Sequence, residues 1–282
     1  MHTYGRVIIV VSWDGASDSL DLIERDVPPA FETVIFNYSG NANTPRNPAL
    51  YSHIISAKTE CKGEIFARVT EYLRDAAVRC TYVALFDDDL SMRVSDINRA
   101  LEIADENQFD SFAMSVAPGS YFSQKRFNQQ AGKTFRPLPW VEVMMPFYRQ
   151  AIFEAGYEFY CTSISSYGID QYLMPYLHRV LGMDNVATID AVSAKHLRPV
   201  TSDDKVFANG LTAHQERAVM RRKCLDTIAQ RHPEWVGSYW YYATYAPING
   251  PLKFLGLYAF APLHLAIRLL SRFKATERVS PV

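Results

Sequence analysis

Several features that would assign the chain quickly are scarce or missing. Only four cysteines occur in 282 residues, Cys61, Cys80, Cys161 and Cys224, and none form a Cys-x-x-Cys pair. Scattered thiols exclude a disulfide framework or a zinc ribbon and fit a reducing compartment. Neither sign of charge dominates: 29 basic against 30 acidic residues leave −1, without the basic footprint of a nucleic-acid binder. A Gly-x-Gly-x-x-Gly loop is missing, which removes a dinucleotide-binding reading. Long apolar runs are also lacking. The longest uncharged one near the C-terminus, Phe254 to Ile267, has 14 residues and contains Pro262. That is short of the roughly 20 needed to span a bilayer. The run Arg6 to Val11 is too short for a signal peptide, so the expected location is cytoplasmic.

What is present centres on Thr81-Tyr-Val-Ala-Leu-Phe-Asp-Asp-Asp-Leu90. Its apolar, β-branched and aromatic residues predict a buried strand that runs straight into three carboxylates. In an extended chain Asp87 and Asp89 point one way and Asp88 the other. Neighbouring carboxylates repel unless a cation lies between them, and an oxygen-rich site suits Mg²⁺ or Mn²⁺ together with substrate phosphates. The alternative is a solvated acidic turn capping the next helix.

Upstream, Arg6 to Val11 reads as a first buried strand ending in Ser12-Trp13-Asp14-Gly15. Ligands bind at the carboxyl edge of open α/β sheets, so Ser12, Trp13 and Asp14 are candidate nucleotide contacts, with Trp13 for stacking. Asp14-Gly15 equally fits a tight turn. The same turn also has the strand-to-Asp-Gly opening of alkaline-phosphatase-type hydrolases. Asp18 to Glu24 suggests a short helix, Glu32 to Gly40 a second buried strand ending in a polar, Gly-containing turn, and Glu64 to Arg79 an amphipathic helix. Strand, turn, strand, helix, strand is the order of a mostly parallel α/β sheet.

Beyond the triplet, Ser95 is a candidate N-cap and Ser111 to Ala117 a further strand. Phe122 to Pro139 reads as a polar loop whose Lys125, Arg126, Lys133 and Arg136 could reach a diphosphate. Glu142 sits among apolar residues, where burial raises a carboxyl pKa and suits it to proton transfer or hydroxyl binding. Asp170 precedes a helical stripe closed by Gly182, and reads as an N-cap or a site residue. Val186 to Val192 reads as the last strand, with Lys195 and His196 after it.

Phe36-Asn-Tyr-Ser-Gly-Asn41, Phe86-Asp-Asp-Asp-Leu90, Trp140-Val-Glu-Val-Met-Met-Pro146, Gly168-Ile-Asp170 and Asp190-Ala-Val-x-x-x-His196 occur in that order. The set resembles a family of plants and bacteria that carries a historical name tied to lysine-ketoglutarate reductase trans-splicing. That family is itself similar to GT-A glycosyltransferases. The resemblance covers roughly residues 6 to 200. It implies a GT-A-like α/β domain moving a sugar from a nucleotide-diphosphate donor to a hydroxyl acceptor. Asp87 and Asp89 then match the metal-diphosphate motif, with Asp88 beside them. His196 matches a third ligand for Mn²⁺ or Mg²⁺, and Asp170 matches the acceptor base of an inverting reaction. The polar loop before Trp140 matches no motif. A metal-dependent phosphohydrolase or phosphodiesterase and a non-catalytic binding protein at a membrane surface remain the alternatives.

Residues 1–200 are thus expected to form the catalytic domain and 201–282 a helical appendage. Thr212-Ala-His-Gln215 is a capping box opening a helix to about Arg231. An aromatic cluster, Trp235 to Tyr245, precedes the apolar run, which basic residues border. Such a segment can lie in the headgroup plane as a peripheral anchor, making a lipid or lipid-linked glycan the acceptor. Packing on the domain or a homodimer contact is the competing reading.

Overall fold

A computed structural model describes residues 5–199 and 204–245. The chain divides into two compact units, Met1–Met220 and Arg221–Val282.

The first unit is built on a ten-stranded sheet. In chain order its strands are β1 (Val7–Trp13), β2 (Ile23–Glu24), β3 (Glu32–Asn37), β4 (His53–Ser56), β5 (Tyr82–Phe86), β6 (Leu90–Arg93), β7 (Ser111–Val116), β8 (Phe135–Pro137), β9 (Pro146–Arg149) and β10 (Val186–His196). The path across the sheet is β2-β6-β10-β7-β9-β5-β1-β3-β4, with β8 pairing β10. β1, β5 and β7 are buried along their whole length, as strands covered on both faces must be. Pairing is parallel for β5-β1, β1-β3, β3-β4 and β7-β10, whereas β9 lies antiparallel between β5 and β7. Phe147 of β9 stacks on Phe112 at 4.4 Å and meets Phe86 edge-on at 5.4 Å, which ties the two parallel halves together.

Helices α1 (Lys62–Asp75) and α2 (Val94–Glu106) bury one apolar face each. The short α3 (Gln150–Ala155) and α4 (Tyr157–Tyr160) follow β9. α5 (Met174–Leu181) ends at Gly182, whose φ of +64° is the left-handed C-cap the sequence predicts. Four expectations differ. Asp18 to Glu24 forms a 3₁₀ turn and then β2. Residue 93, and not Ser95, is the N-cap of α2; Ser95 lies in its first turn, where its N–H donates to Asp26 at 3.0 Å. The loop 122–139 contains the short β8. The last strand also continues past Val192 to His196, through a bulge between Ile189 and Ser193.

α6 (Ala213–Arg231) opens on the predicted capping box: Thr212 N–H donates to Gln215 Oε1 at 2.8 Å and Gln215 N–H to Thr212 Oγ1 at 3.4 Å. Within the second unit, Arg221 Nε donates to Tyr245 O at 2.6 Å at the end of α7 (Tyr239–Tyr245). There Trp240 packs edge-on against both Trp235 and the buried Tyr245. Among the described residues no helix is long and apolar enough to cross a membrane. The apolar run from Phe254 lies outside the described residues.

Candidate active site

β5 ends at Phe86, and the chain turns at Asp88 and Asp89 before β6. The alternation of an extended strand therefore stops at the triplet, and Asp88 and Asp89 end up sharing a partner. Arg198 donates through Nε to Asp89 at 3.1 Å and through a terminal nitrogen to Asp88. Tyr38, at the end of β3, donates its hydroxyl to Asp88 Oδ2 at 2.8 Å. Burial and the Asp88 charge raise the Tyr38 pKa, so it stays a donor.

The β6-β10 register explains why a residue from the far end of the unit reaches the triplet. His196 pairs with Leu90 across antiparallel strands, and Leu197 N–H donates to Asp89 O at 3.0 Å. His196 Nε2 then lies 3.1 Å from Asp89 Oδ2, while Nδ1 faces Tyr121 O at 3.1 Å. Both partners are acceptors, so the hydrogen bond to Asp89 forms when His196 carries a proton on each nitrogen; when it holds only the Nδ1 proton, Nε2 presents its lone pair beside the carboxylate. Burial works against ionising either group. The mutual hydrogen bond and charge outweigh it, lowering the Asp89 pKa and raising that of His196.

Asp87 is bound differently. Lys62, the first residue of α1 and 9 % exposed, donates to Asp87 Oδ1 at 2.6 Å, Met144 O at 3.0 Å and Leu85 O at 3.1 Å. All three ammonium protons are thus used. Burial raises the Asp87 pKa, and the Lys62 charge pulls it back. Among the described residues no group of three His, Cys, Asp or Glu is placed to hold a metal ion. Asp89 and His196 do fit such an ion as a pair, with a carboxylate oxygen and an oriented imidazole nitrogen converging. Mg²⁺ and Mn²⁺ commonly complete such a shell with phosphate oxygens and water. Asp87 stands beside this pair, engaged by Lys62.

Glu142 is close enough to feel the charges of Asp87 and His196, and Asp170 in turn feels that of Glu142. Asp170 does not cap α5: it lies inside a π-helical turn, Ile169–Leu173, entered through Gly168 at φ +91°. Single π turns recur at functional sites. Its Oδ1 accepts from Gln171 N–H at 2.7 Å. Burial, followed by the nearby Glu142 charge, pushes its pKa up to about 7. Burial raises Glu142 as well, and its Oε2 is enclosed with no hydrogen-bond partner.

At the end of β1, Ser12 is buried. Trp13 is 4 % exposed with Nε1 donating to Ser17 O at 2.9 Å, so its ring is covered by the protein and is not an open stacking surface. Asp14 Oδ1 accepts from Ala16 N–H, Ser17 N–H and Ser17 Oγ at 2.7–2.9 Å, and Gly15 has φ +78°. Burial opposes ionisation of Asp14, but these bonds win and lower its pKa. This is the tight turn that was one of the two readings of Asp14-Gly15. Among the loop cations, Arg136 is committed to the buried Asp190 at 2.6 Å, and Arg126 lies over the Trp140 ring at 5.4 Å.

The sheet order and its flanking helices define a GT-A-like α/β fold. Comparison with solved structures agrees. S. aureus TarS 1-349 in complex with UDP-GlcNAc superposes with a TM-score of 0.54 at 11% identity, over 79% of this chain and 66% of that one. GalNAc-T7 with UDP, GalNAc and Mn²⁺ superposes with a TM-score of 0.54 at 10% identity, over 95% of this chain and 58% of that one. The chain therefore spans 66% of the first neighbour and 58% of the second. No family model matches the sequence, and no curated protein matches it.

Proposed function

We propose that the chain is a metal-assisted glycosyltransferase that moves a sugar from a nucleotide-diphosphate donor to a hydroxyl acceptor with inversion. The observation that carries the reading is the convergence of Asp88, Asp89, His196 and Arg198 at one strand end; the buried Asp170, whose pKa burial and the Glu142 charge push up to about 7, supports it. Asp89 and His196 would hold a divalent ion, Mn²⁺ or Mg²⁺, which when bound neutralises the leaving diphosphate. Asp87, the other carboxylate of the Asp-x-Asp pair, would join the ion only on exchanging its contact with Lys62. Ser12, Asp14 and Asp88, at or just past strand ends, would lie toward the donor, since α/β sheets bind nucleotides there.

Asp170 takes the acceptor proton. The acceptor oxygen forms a bond to the anomeric carbon, the carbon–oxygen bond to the diphosphate breaks, and its electron pair leaves with the diphosphate. A base with a pKa of about 7 is half ionised at neutral pH, where general-base catalysis is efficient. Glu142 keeps the neighbourhood negative and is the alternative base. The apolar C-terminal run and its basic border support a peripheral location on the cytoplasmic membrane face, with a lipid or lipid-linked glycan as acceptor. The other role for that run is a homodimer contact.

The test is release of nucleoside diphosphate from a panel of UDP- and GDP-linked sugars with Mn²⁺ or Mg²⁺. A transferase shows acceptor-stimulated turnover. Cleavage of simple phosphoesters instead would establish a hydrolase, and inertness in both assays a binding protein. Flotation of the full chain with anionic vesicles, against a chain ending at Asn249, tests the membrane site; equal behaviour of the two removes the anchor.

A further inference from the structure

Glu216 lies in the first turn of α6 and is 4 % exposed. It is not needed to cap its own helix, because Thr212 and Gln215 already do so. Its carboxylate is spent elsewhere. Oε2 accepts from Ser165 N–H at 2.7 Å and Ser165 Oγ at 2.5 Å. Both oxygens face Ile164 N–H at 3.1 and 3.2 Å, and Oε1 accepts from Asn209 Nδ2 at 2.5 Å.

The segment held in this way touches the site at both ends. Upstream, Ile164 O accepts from Gly63 N–H at 2.8 Å, next to Lys62. The approach is so close that a Cβ on Gly63 would lie 2.5 Å from Ser163 O, which only glycine allows. Downstream, Ser166 at φ +69° and Gly168 at φ +91° turn the chain into the π turn that carries Asp170. A left-handed conformation at a non-glycine residue is strained and persists only where surrounding bonds over-determine it. Those bonds are here: Ser163 Oγ accepts from Ser166 N–H at 3.3 Å and Ser165 Oγ from Tyr167 N–H at 3.2 Å. The same Ser165 hydroxyl donates to Glu216. Met220, one turn further along α6, closes on Gly168, where an added Cβ would meet it at 3.1 Å.

We propose that Glu216 is a positioning residue of the active site, holding 163–168 in the conformation that buries Asp170 and seats Lys62 against Asp87. The proposal rests on the reading of Asp170 as the acceptor base. The ionisable groups facing Asp170 are Glu142 from the 140–145 segment, Tyr148 from β9, and Arg217, the neighbour of Glu216 on α6.

The test is a carboxyl-carbon NMR titration of Asp170 in the full chain, run beside the pH profile of turnover. In Glu216→Gln an amide N–H₂ replaces one acceptor oxygen and opposes the Ile164 and Ser165 donors, so the segment relaxes and water reaches Asp170. The titration midpoint of Asp170 should fall by about one pH unit or more, toward ordinary carboxylates. Turnover should fall by roughly tenfold, and its pH profile should move with the titration. Gln215→Ala, which weakens only the helix cap, should leave the midpoint in place. An unchanged midpoint in folded Glu216→Gln overturns the proposal. If that variant does not fold, Ser165→Ala must shift the midpoint in the same direction, and its failure to do so is equally decisive. The titration needs no donor or acceptor. A wild-type chain without transferase activity but with the Glu216→Gln shift would therefore overturn the function and leave the positioning role standing.

Discussion

On one side of the site three successive carboxylates each meet a positive or protonatable partner: Lys62 at Asp87, Arg198 at Asp88 and Asp89, His196 at Asp89. By contrast, Asp170 receives a backbone hydrogen bond from Gln171, and Glu142 keeps an enclosed oxygen with no hydrogen-bond partner. The residue type is the same in both places, but the balance differs. At Asp89 the partners outweigh burial and hold the pKa below the usual range, whereas at Asp170 burial prevails and brings it to about 7. Under the proposed reaction the first carboxylate suits a cation that neutralises a leaving diphosphate and the second suits uptake of a hydroxyl proton.

The sharpest way to break the contrast is Asp170→Asn. The amide preserves shape and cannot take a proton, so turnover should fall by roughly 10²-fold or more with donor affinity retained. Steady-state kinetics and calorimetry on one preparation check both halves. Unchanged turnover would move the base to Glu142. The same variant carries a stability signature. Asp170 has an ordinary pKa of 3.8 and a folded value of about 7, so between those pH values the folded state binds the extra proton. Stability therefore declines as pH rises from about 4 to about 7 and levels off above. The full effect of such a shift is on the order of 4 kcal/mol. Asp170→Asn should remove that decline, and urea melts at pH 5 and 8 measure it.

Next in size is Asp89→Ala, which strikes the partnered side. With Mn²⁺ present, UDP-sugar affinity in the wild type should exceed that in EDTA by about tenfold or more, and in the variant the two should coincide. Equal wild-type affinities in Mn²⁺ and EDTA would remove the ion from the reading altogether.

The strands carrying the site announced themselves through composition, because β1, β5 and β7 are buried on both faces and so read as unbroken apolar runs. β4 did not, being a four-residue edge strand with no buried residue. The triplet, His196, Glu142 and Asp170 were readable as chemistry-bearing types at element ends. Their partners were not. Lys62 lies 25 residues from Asp87, Tyr38 lies 50 from Asp88 and Glu216 lies 51 from Ser165. Those meetings depend on strand order and on where α1 and α6 start, which local periodicity does not encode. Asp170 shows the converse failure. Its position before a helical stripe suggests a cap, but the π turn carries the carboxylate away from the helix N-terminus and into the interior. Arg198 had a faint signal, two residues after His196, where an extended chain returns to the same side.

Arg198 carries the smallest effect and the finest test of the comparison. Its side chain is 56 % exposed, so as an ion pair it contributes little to stability, within the ~0–1 kcal/mol of exposed pairs. Its value lies in where it stands, bridging Asp88 and Asp89 on the same carboxylate that faces His196. A divalent ion entering at Asp89 and His196 competes with the guanidinium for Asp89 Oδ2, and a guanidinium so released is suited to bidentate contact with phosphate. Arg198→Ala should accordingly act in opposite directions on two ligands. Affinity for Mn²⁺ alone should rise a few-fold, because a competing positive charge is gone. Affinity for UDP in the presence of Mn²⁺ should fall a few-fold, because a phosphate donor has been lost. Calorimetry at two salt concentrations separates these effects, since screening shrinks both. A variant that loses Mn²⁺ and UDP affinity together would mean that Arg198 holds the triplet in shape, and the exchange between protein cation and metal would be wrong.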